Sequence, residues 1–313
     1  MVSDAVSAKR NKKIATFKNP HLSVKSMKIL VITHDTLPYE QHKAKMRWVR
    51  FPYLFKKLGH DVLYVYKQDW WRYLWLYGRF QPDIVISVGK VAGLITSFHH
   101  ILPGKRRAVF VHDMTDHFAL YPKGRLSFFR RHHDYITSPT AYNLAVYHGD
   151  DLIPNGSDFT PIKAKPEYDA CYVGQVVPIY NIPALIDVCK RESITLKIIT
   201  DLPNEDIPSL IAKANVCVYP ISWDSSIKMY DYAAMGKPVV AIAPNLAEKI
   251  GYPAYYTTDI AAGIIYLLQN QKKAATLGKA VREWFLYNSG TWEEQAKKYL
   301  AVLENYRRRT CAG

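Results

Sequence analysis

The sequence predicts an α/β protein made of two doubly wound domains that face each other across a cleft. Three observations carry this. From Met27 onward, short β-branched and apolar runs alternate with stretches of helical length and pattern, which marks a parallel sheet covered on both faces. A segment with Pro154, Asn155, Gly156, Pro161 and Pro166 then breaks the alternation, as an interdomain linker does. After it the alternation restarts and runs nearly to the C-terminus. Ligands of such sheets bind at the carboxyl ends of strands, so function is expected in the loops that face the cleft.

Taken in order, residues 1–26 are basic and lack an apolar core of signal-peptide length, and are expected to form a disordered extension. The first domain, 27–154, has strand candidates KILVITH, VLYVY, DIVISVG, AVFVHD and YITS. Between them KAKMRWVRFPYLFKKLG, QDWWRYLWLYGRF and GLITSFHHIL read as helices. Residues 155–168 form the linker. The second domain, 169–288, continues with strands ACYVG, LKIIT, VCVYPI, PVVAIAP and AYYTT. Its helices are IPALIDVCKRE, DIPSLIAKA, a segment within 224–236, and DIAAGIIYLLQ. Residues 289–313 contain one more amphipathic helix, TWEEQAKKYLAVLENYRRR. No repeat of solenoid length is present.

Composition narrows the class. With 313 residues, 49% of them hydrophobic, the chain can bury real cores. Cys171, Cys189, Cys217 and Cys311 are scattered without a C-x2-C pair, which excludes a zinc or disulfide framework and fits a reducing compartment. No apolar run reaches the roughly 18 residues of a membrane span. The net charge of +15 is lopsided: residues 1–158 hold 24 Lys/Arg against 12 Asp/Glu, and residues 159–313 hold 18 against 15. Such a field attracts lipid headgroups, nucleic acid or phosphorylated substrates. Two segments sharpen the membrane reading. One carries Lys43, Lys45, Arg47, Trp48 and Arg50; the other carries Trp70 and Trp71 within an aromatic run. Basic, Trp-rich amphipathic helices suit an anionic bilayer surface. The competing reading is that the aromatics cover the sheet and the cations are merely solvated.

Residues 224–241, DSSIKMYDYAAMGKPVVA, hold the densest chemistry. Asp224 or Ser225 can cap a helix that Gly236 ends. The free amides and dipole at its N-terminus form an anion site.

Four segments now carry a family resemblance: DYITSPTAYNLAVYHGDDLIPNGSD, YVGQVVPIYNIPALIDV, SSIKMYDYAAMGKPVVA and SGTWEEQAKKYL. In this order they resemble the GT-B-fold glycosyltransferases, most of all family 4. The resemblance implies two Rossmann-like domains, with a last helix that crosses back to the first. It implies sugar transfer from a nucleotide-sugar donor to a lipid-linked or surface-glycan acceptor, with retention at the anomeric carbon and no metal. No clustered Asp-x-Asp follows a strand, and helix amides can hold a diphosphate in a metal's place. The family's ribose-binding glutamate matches Asp231, one methylene shorter; otherwise Asp231 pairs with Lys228 on a solvated face. Lys228, Ser225, Ser226, Gly174, Gln175 and Tyr180 complete the expected donor side. His112 matches the histidine beside the reacting carbon, and Asp113 would orient it or bind acceptor. His34 and Asp35 are the acceptor-side candidates.

Two departures bear on catalysis. Trp223 stands where the family usually has an earlier glutamate. Gln175 and Tyr180 stand where it has the phosphate-binding Arg and Lys, so two charge-assisted contacts are lost. Two rival readings follow: a GT-B module without catalysis that serves as a partner subunit, and a glycosyltransferase that modifies nucleic acid. No RNP, helix-turn-helix or zinc-finger signature supports the latter. The expected location is cytoplasmic, with the first domain on the inner face of the membrane.

Overall fold

The structure is a computed structural model. It describes residues 26–34, 41, 46–98, 108–115, 123–146, 148–176, 180–222 and 226–311, with the backbone alone at 123–127 and 311. Asp35, Lys43, Lys45, Trp223, Asp224, Ser225 and the chain before Ser26 lie outside the described residues.

The first sheet contains β1 (Lys28–Ile32), β2 (Asp61–Val65), β3 (Ile84–Val88), β4 (Val109–Asp113), β5 (Tyr135–Ser138) and β6 (Asp151–Leu152). All strands run parallel in the order β2-β1-β3-β4-β5-β6. The pleat alternates its faces. Ile29, Val31, Ile86 and Val111 pack with Phe51 and Phe55 of α1 (Arg47–Lys57), while Leu30, Ile32, Val85 and Phe110 pack with Tyr73 and Tyr77 of α2 (Tyr73–Phe80). Three further helices, α3 (Lys90–Thr96), α4 (Lys123–His132) and α5 (Ala141–Val146), complete this half among the described residues.

The second sheet holds β7 (Tyr168–Val173), β8 (Leu196–Ile199), β9 (Ala214–Tyr219), β10 (Val239–Ile242) and β11 (Tyr255–Thr257), ordered β11-β10-β9-β7-β8 and again parallel. Its helices are α6 (Ile182–Arg191), α7 (Ile207–Ala212), α8 (Ile227–Ala234), α9 (Leu246–Lys249), α10 (Ile260–Gln269) and α11 (Gln271–Asn288). Helix α8 stops in a Schellman turn: Gly236 takes φ +66°, Lys237 N donates to Tyr232 O at 3.1 Å and Gly236 N to Ala233 O at 3.0 Å.

Helix α12 (Trp292–Cys311) returns to the first sheet. Its Trp292, Tyr299 and Leu303 sit in the same cluster as Phe51 and Phe55, and Phe51 meets Trp292 and Tyr299 edge-on at 5.5 and 5.4 Å. The two crossings between the halves are stitched together. Ser157 N donates to Gly290 O at 3.2 Å, and a Cβ on Gly156 would lie 2.6 Å from Trp292 N, so only glycine lets the strands of chain pass.

Candidate functional site

Topology points to the site before any side chain does. In each sheet the connection reverses direction beside the first strand, between β1 and β3 and between β7 and β9. Crevices at the carboxyl ends of such reversal points are where open α/β sheets bind ligands. The second reversal point is Gly174, directly after β7, at φ +134°. The first is Thr33–His34, directly after β1.

Helix α8 delivers a cation to Gly174. The Lys228 side chain is 9% exposed, and its Nζ donates to Tyr172 Oη at 2.9 Å. The same Nζ stands 4.4 Å from the Tyr172 ring centroid and 5.1 Å from that of Tyr180. A Cβ on Gly174 would lie 2.5 Å from it, so glycine is what admits the amine there. Burial pulls the Lys228 pKa down to about 7, against the raising influence of Asp231. Ser226, rather than Asp224 or Ser225, is the N-cap residue of α8, and its side chain makes no capping bond.

One turn further along α8, Asp231 is 7% exposed. Its Oδ1 accepts from Ser157 Oγ of the interdomain linker at 2.6 Å. Burial raises its pKa to about 7; the Ser157 bond and the Arg50 and Lys228 charges pull the other way. Lys228 and Asp231 form no ion pair with each other: the amine turns to Tyr172 and the carboxylate to Ser157. The solvated Lys228–Asp231 pair is thereby ruled out. Gln175 is exposed, and its carbonyl accepts from Tyr172 Oη at 3.1 Å.

The expected catalytic pair needs correction. His112 is 0% exposed. It points with Phe110 to the helix-covered face, Nδ1 2.9 Å from Ser87 Oγ, with its ring 4.6 Å from that of Phe129. Gly93 of α3 makes room for it, since a Cβ there would lie 2.5 Å from His112 Cε1. Burial pushes its pKa down to about 3, so the ring is neutral. Asp113 faces the opposite side and is saturated: Arg47 Nε and Nη2 donate to its two oxygens at 2.8 and 3.0 Å, and Thr137 Oγ1 donates at 2.9 Å. Neither residue reaches the cleft as a free group, because adjacent strand positions point to opposite covered faces. His34 is exposed at the first reversal point, 4.9 Å from the Trp48 ring.

The membrane-surface expectation also changes. Arg47 is 2% and Arg50 4% exposed. Arg47 holds Asp113 and the Ile153 carbonyl at 2.6 Å, and Arg50 pairs with Asp158 at 2.6 Å beside the linker. Trp48 packs on the first core, and Trp70 donates Nε1 to Thr33 O at 3.0 Å. The amphipathic face of 47–57 thus turns inward, with its cations neutralised. Among the described members of the expected surface, Trp71 alone is largely exposed, at 82%. Sequence reasoning missed Ser157, Tyr172 and Arg50 as site neighbours. The one signal was Ser157 itself, a hydroxyl next to the PNG turn of the linker.

No family model and no curated protein matches the sequence. Solved structures do. A sucrose-phosphate synthase from Thermosynechococcus elongatus matches at a TM-score of 0.70 and 13% identity, over 92% of this chain and 100% of that one. HepE from Anabaena, in complex with UDP-glucose, matches at 0.64 and 14% identity, over 88% and 100%. The fold is GT-B. An α-glucosyltransferase in complex with UDP and a 13-mer DNA shares the GT-B frame less closely, at a TM-score of 0.53 and 12% identity over 90% and 100%. Identities this low establish architecture. Among the described residues, no helix is long and apolar enough to cross a membrane.

Proposed function

We propose that this GT-B protein is a glycosyltransferase, related to family 4, that uses a nucleoside-diphosphate sugar. The observation that carries the reading is the buried Lys228 amine at Gly174, with Asp231 one turn away on the same helix. A desolvated cation without an acidic partner is costly, and a diphosphate at the start of α8 would relieve that cost. Asp231 keeps acceptor capacity beyond Ser157 for the two ribose hydroxyls. The spacing fits one nucleotide laid along α8, with ribose at Asp231 and diphosphate at Lys228. Lys228 thereby supplies from the helix the charge that Gln175 and Tyr180 do not supply from the loop. The known complexes of HepE with UDP-glucose and of the α-glucosyltransferase with UDP support this choice of ligand.

In the transfer, the bond from the anomeric carbon to the β-phosphate oxygen breaks and its electron pair stays on the diphosphate. An acceptor hydroxyl oxygen bonds to that carbon, and its proton leaves to the departing phosphate. Lys228 and the α8 amides stabilise the developing charge, so we read the reaction as metal-independent. Retention follows from the family resemblance. The acceptor, lipid-linked or a surface glycan, would approach from His34 and Trp48, and the location would be cytoplasmic.

The neutral Gln175 and Tyr180 favour one rival, a GT-B partner subunit without catalysis. Thermal denaturation against a panel of nucleotide sugars with EDTA present separates the two, because a ligand of the native state raises apparent stability. At least one donor should raise the midpoint. Silence across the panel, UDP included, overturns the transferase.

A further inference from the structure

Helix α2 is apolar on both faces, and only one of them is covered. Its inward face is pinned. Tyr73 and Tyr77 are 3% and 6% exposed, Tyr77 stacks on Phe110 at 6.1 Å, and Trp70 just before the helix is tied to Thr33 O. On the outward side stand Trp71, in the 3-10 turn Lys67–Arg72 that leads into α2, and Leu74 and Trp75 of the helix itself; they are 82%, 47% and 52% exposed. Trp71 on the turn and Leu74 and Trp75 on the helix all stand on regular structure, so their exposure is not a product of a loose loop. Soluble monomers rarely show a contiguous apolar patch of this kind without a partner.

Cations are built into the same patch. The Arg72 guanidinium stands 5.7 Å from the Trp71 ring and 5.3 Å from the Trp75 ring, and Arg79 also stands 5.3 Å from Trp75. Lys67 is exposed at the start of the segment. The one acid within 67–80, Asp69, lies 3.5 Å from Arg72. At the foot of α2, Lys28 Nζ donates to Phe80 O at 3.3 Å.

We propose that the outward face of α2 docks on an anionic lipid bilayer. Trp71, Leu74 and Trp75 would enter the headgroup boundary, with Arg72, Arg79 and Lys67 at phosphate level. Trp rings prefer that depth, and guanidinium groups stacked on them reach anionic headgroups without giving up the ring contact. A second copy of the chain is the poorer occupant. A symmetric contact would bring Arg72 and Arg79 face to face with their own kind. The segment starts directly after the carboxyl end of β2, so the patch lies at the rim of the cleft and would bring the acceptor side to the lipid. The inference goes beyond the transferase reading and does not depend on it.

The test is co-sedimentation of the full chain with phosphatidylcholine vesicles, with and without phosphatidylglycerol. Wild type should pellet with the anionic vesicles at low salt and be released as salt rises. The triple variant Trp71→Ala, Leu74→Ala, Trp75→Ala should bind at least about tenfold more weakly. Lys67→Glu with Arg79→Glu should cost more than about fivefold for each charge. Its midpoint shift with a nucleotide sugar should stay that of wild type. Should the triple variant fold poorly, Trp71→Phe with Trp75→Phe keeps the apolar face. That variant should still pellet but lose quenching by brominated lipid. Three results overturn the proposal: wild type ignoring anionic vesicles at low salt, the well-folded triple variant pelleting like wild type, or the triple variant dissociating a lipid-free dimer instead. Retention on duplex DNA that the triple variant abolishes, with no vesicle binding, would assign the face to nucleic acid and equally overturn it.

Discussion

Two buried carboxylates, Asp113 and Asp231, are 1% and 7% exposed, yet their surroundings are opposites. Asp113 receives three hydrogen bonds from Arg47 and Thr137, and Arg47 uses its remaining arm on the carbonyl of Ile153, just before the linker. Every charge there is answered within the fold. Asp231 receives one bond, from Ser157, and the Lys228 amine one turn away turns to a phenol and two aromatic rings. A carboxylate offers about four acceptor sites, so Asp231 has capacity left over. A closed pair holds structure; an open pair with shifted pKa values is where a ligand belongs. The dipeptide His112–Asp113 has the more familiar look of catalysis, yet both side chains are enclosed and Asp113 is saturated by Arg47 and Thr137.

The largest effect should come from breaking the closed pair. Arg47→Ala leaves Asp113 buried and unpaired and frees the Ile153 carbonyl, at a cost of about 3–5 kcal/mol. Urea denaturation measures it. Arg47→Lys should rescue only in part, because an ammonium cannot reproduce the two-pronged bond. A loss below about 1 kcal/mol in Arg47→Ala would show that Asp113 finds water or a proton instead, and the contrast with Asp231 would fail.

Much of the architecture was legible. Every strand expected from the apolar runs appears, because a buried parallel strand leaves a run of four to six apolar residues that little else mimics. The two-residue β6 leaves no such run. Helix α11 escaped notice because its buried positions include Ala274 and Gly278, small residues that do not print an apolar stripe. The site was half legible. Lys228, Asp231 and Gly174 lie in segments that the family resemblance singled out. The partners that decide their chemistry do not: Ser157 sits 74 residues from Asp231, and Tyr172 56 from Lys228. The stripe at 47–58 was legible as amphipathic, but which way it faced was not. Arg47 finds Asp113 66 residues away, and no periodicity records that.

Next in size are the two halves of the open pair. Asp231→Asn keeps the shape but loses the charge that would hold two ribose hydroxyls. Nucleotide affinity should fall by about 2–3 kcal/mol, while stability near pH 8 holds or rises, because the buried carboxylate is no longer desolvated. Calorimetric titration beside urea denaturation reads both. Equal affinity, or a stability loss like that of Arg47→Ala, would place Asp231 with Asp113. Lys228→Met should weaken a nucleoside diphosphate by about 1.5 kcal/mol and leave the nucleoside alone unaffected. A drop shared equally by both ligands would remove the diphosphate from Gly174.

The smallest effect is the most specific to the open pair. Asp231 has its pKa raised in the folded state, so its contribution to stability is full below its unfolded value near 4 and is lost as pH rises through about 7. Lys228 has its pKa lowered, so its contribution is full above its unfolded value near 10.5 and is lost as pH falls through about 7. Both losses meet near neutrality, where each poorly solvated group of the free protein is only partly ionised. Binding runs the other way, since ribose wants the ionised carboxylate and diphosphate the protonated amine. The rise in melting midpoint on adding a nucleoside diphosphate should therefore peak near pH 7. The acid limb should vanish in Asp231→Asn while the alkaline limb stays. That alkaline limb should lie above 7 in the complex, because a bound phosphate restores the amine's affinity for its proton. A flat profile from about pH 5.5 to 8.5 would mean that neither charge touches the nucleotide, and the open pair would be as structural as the closed one.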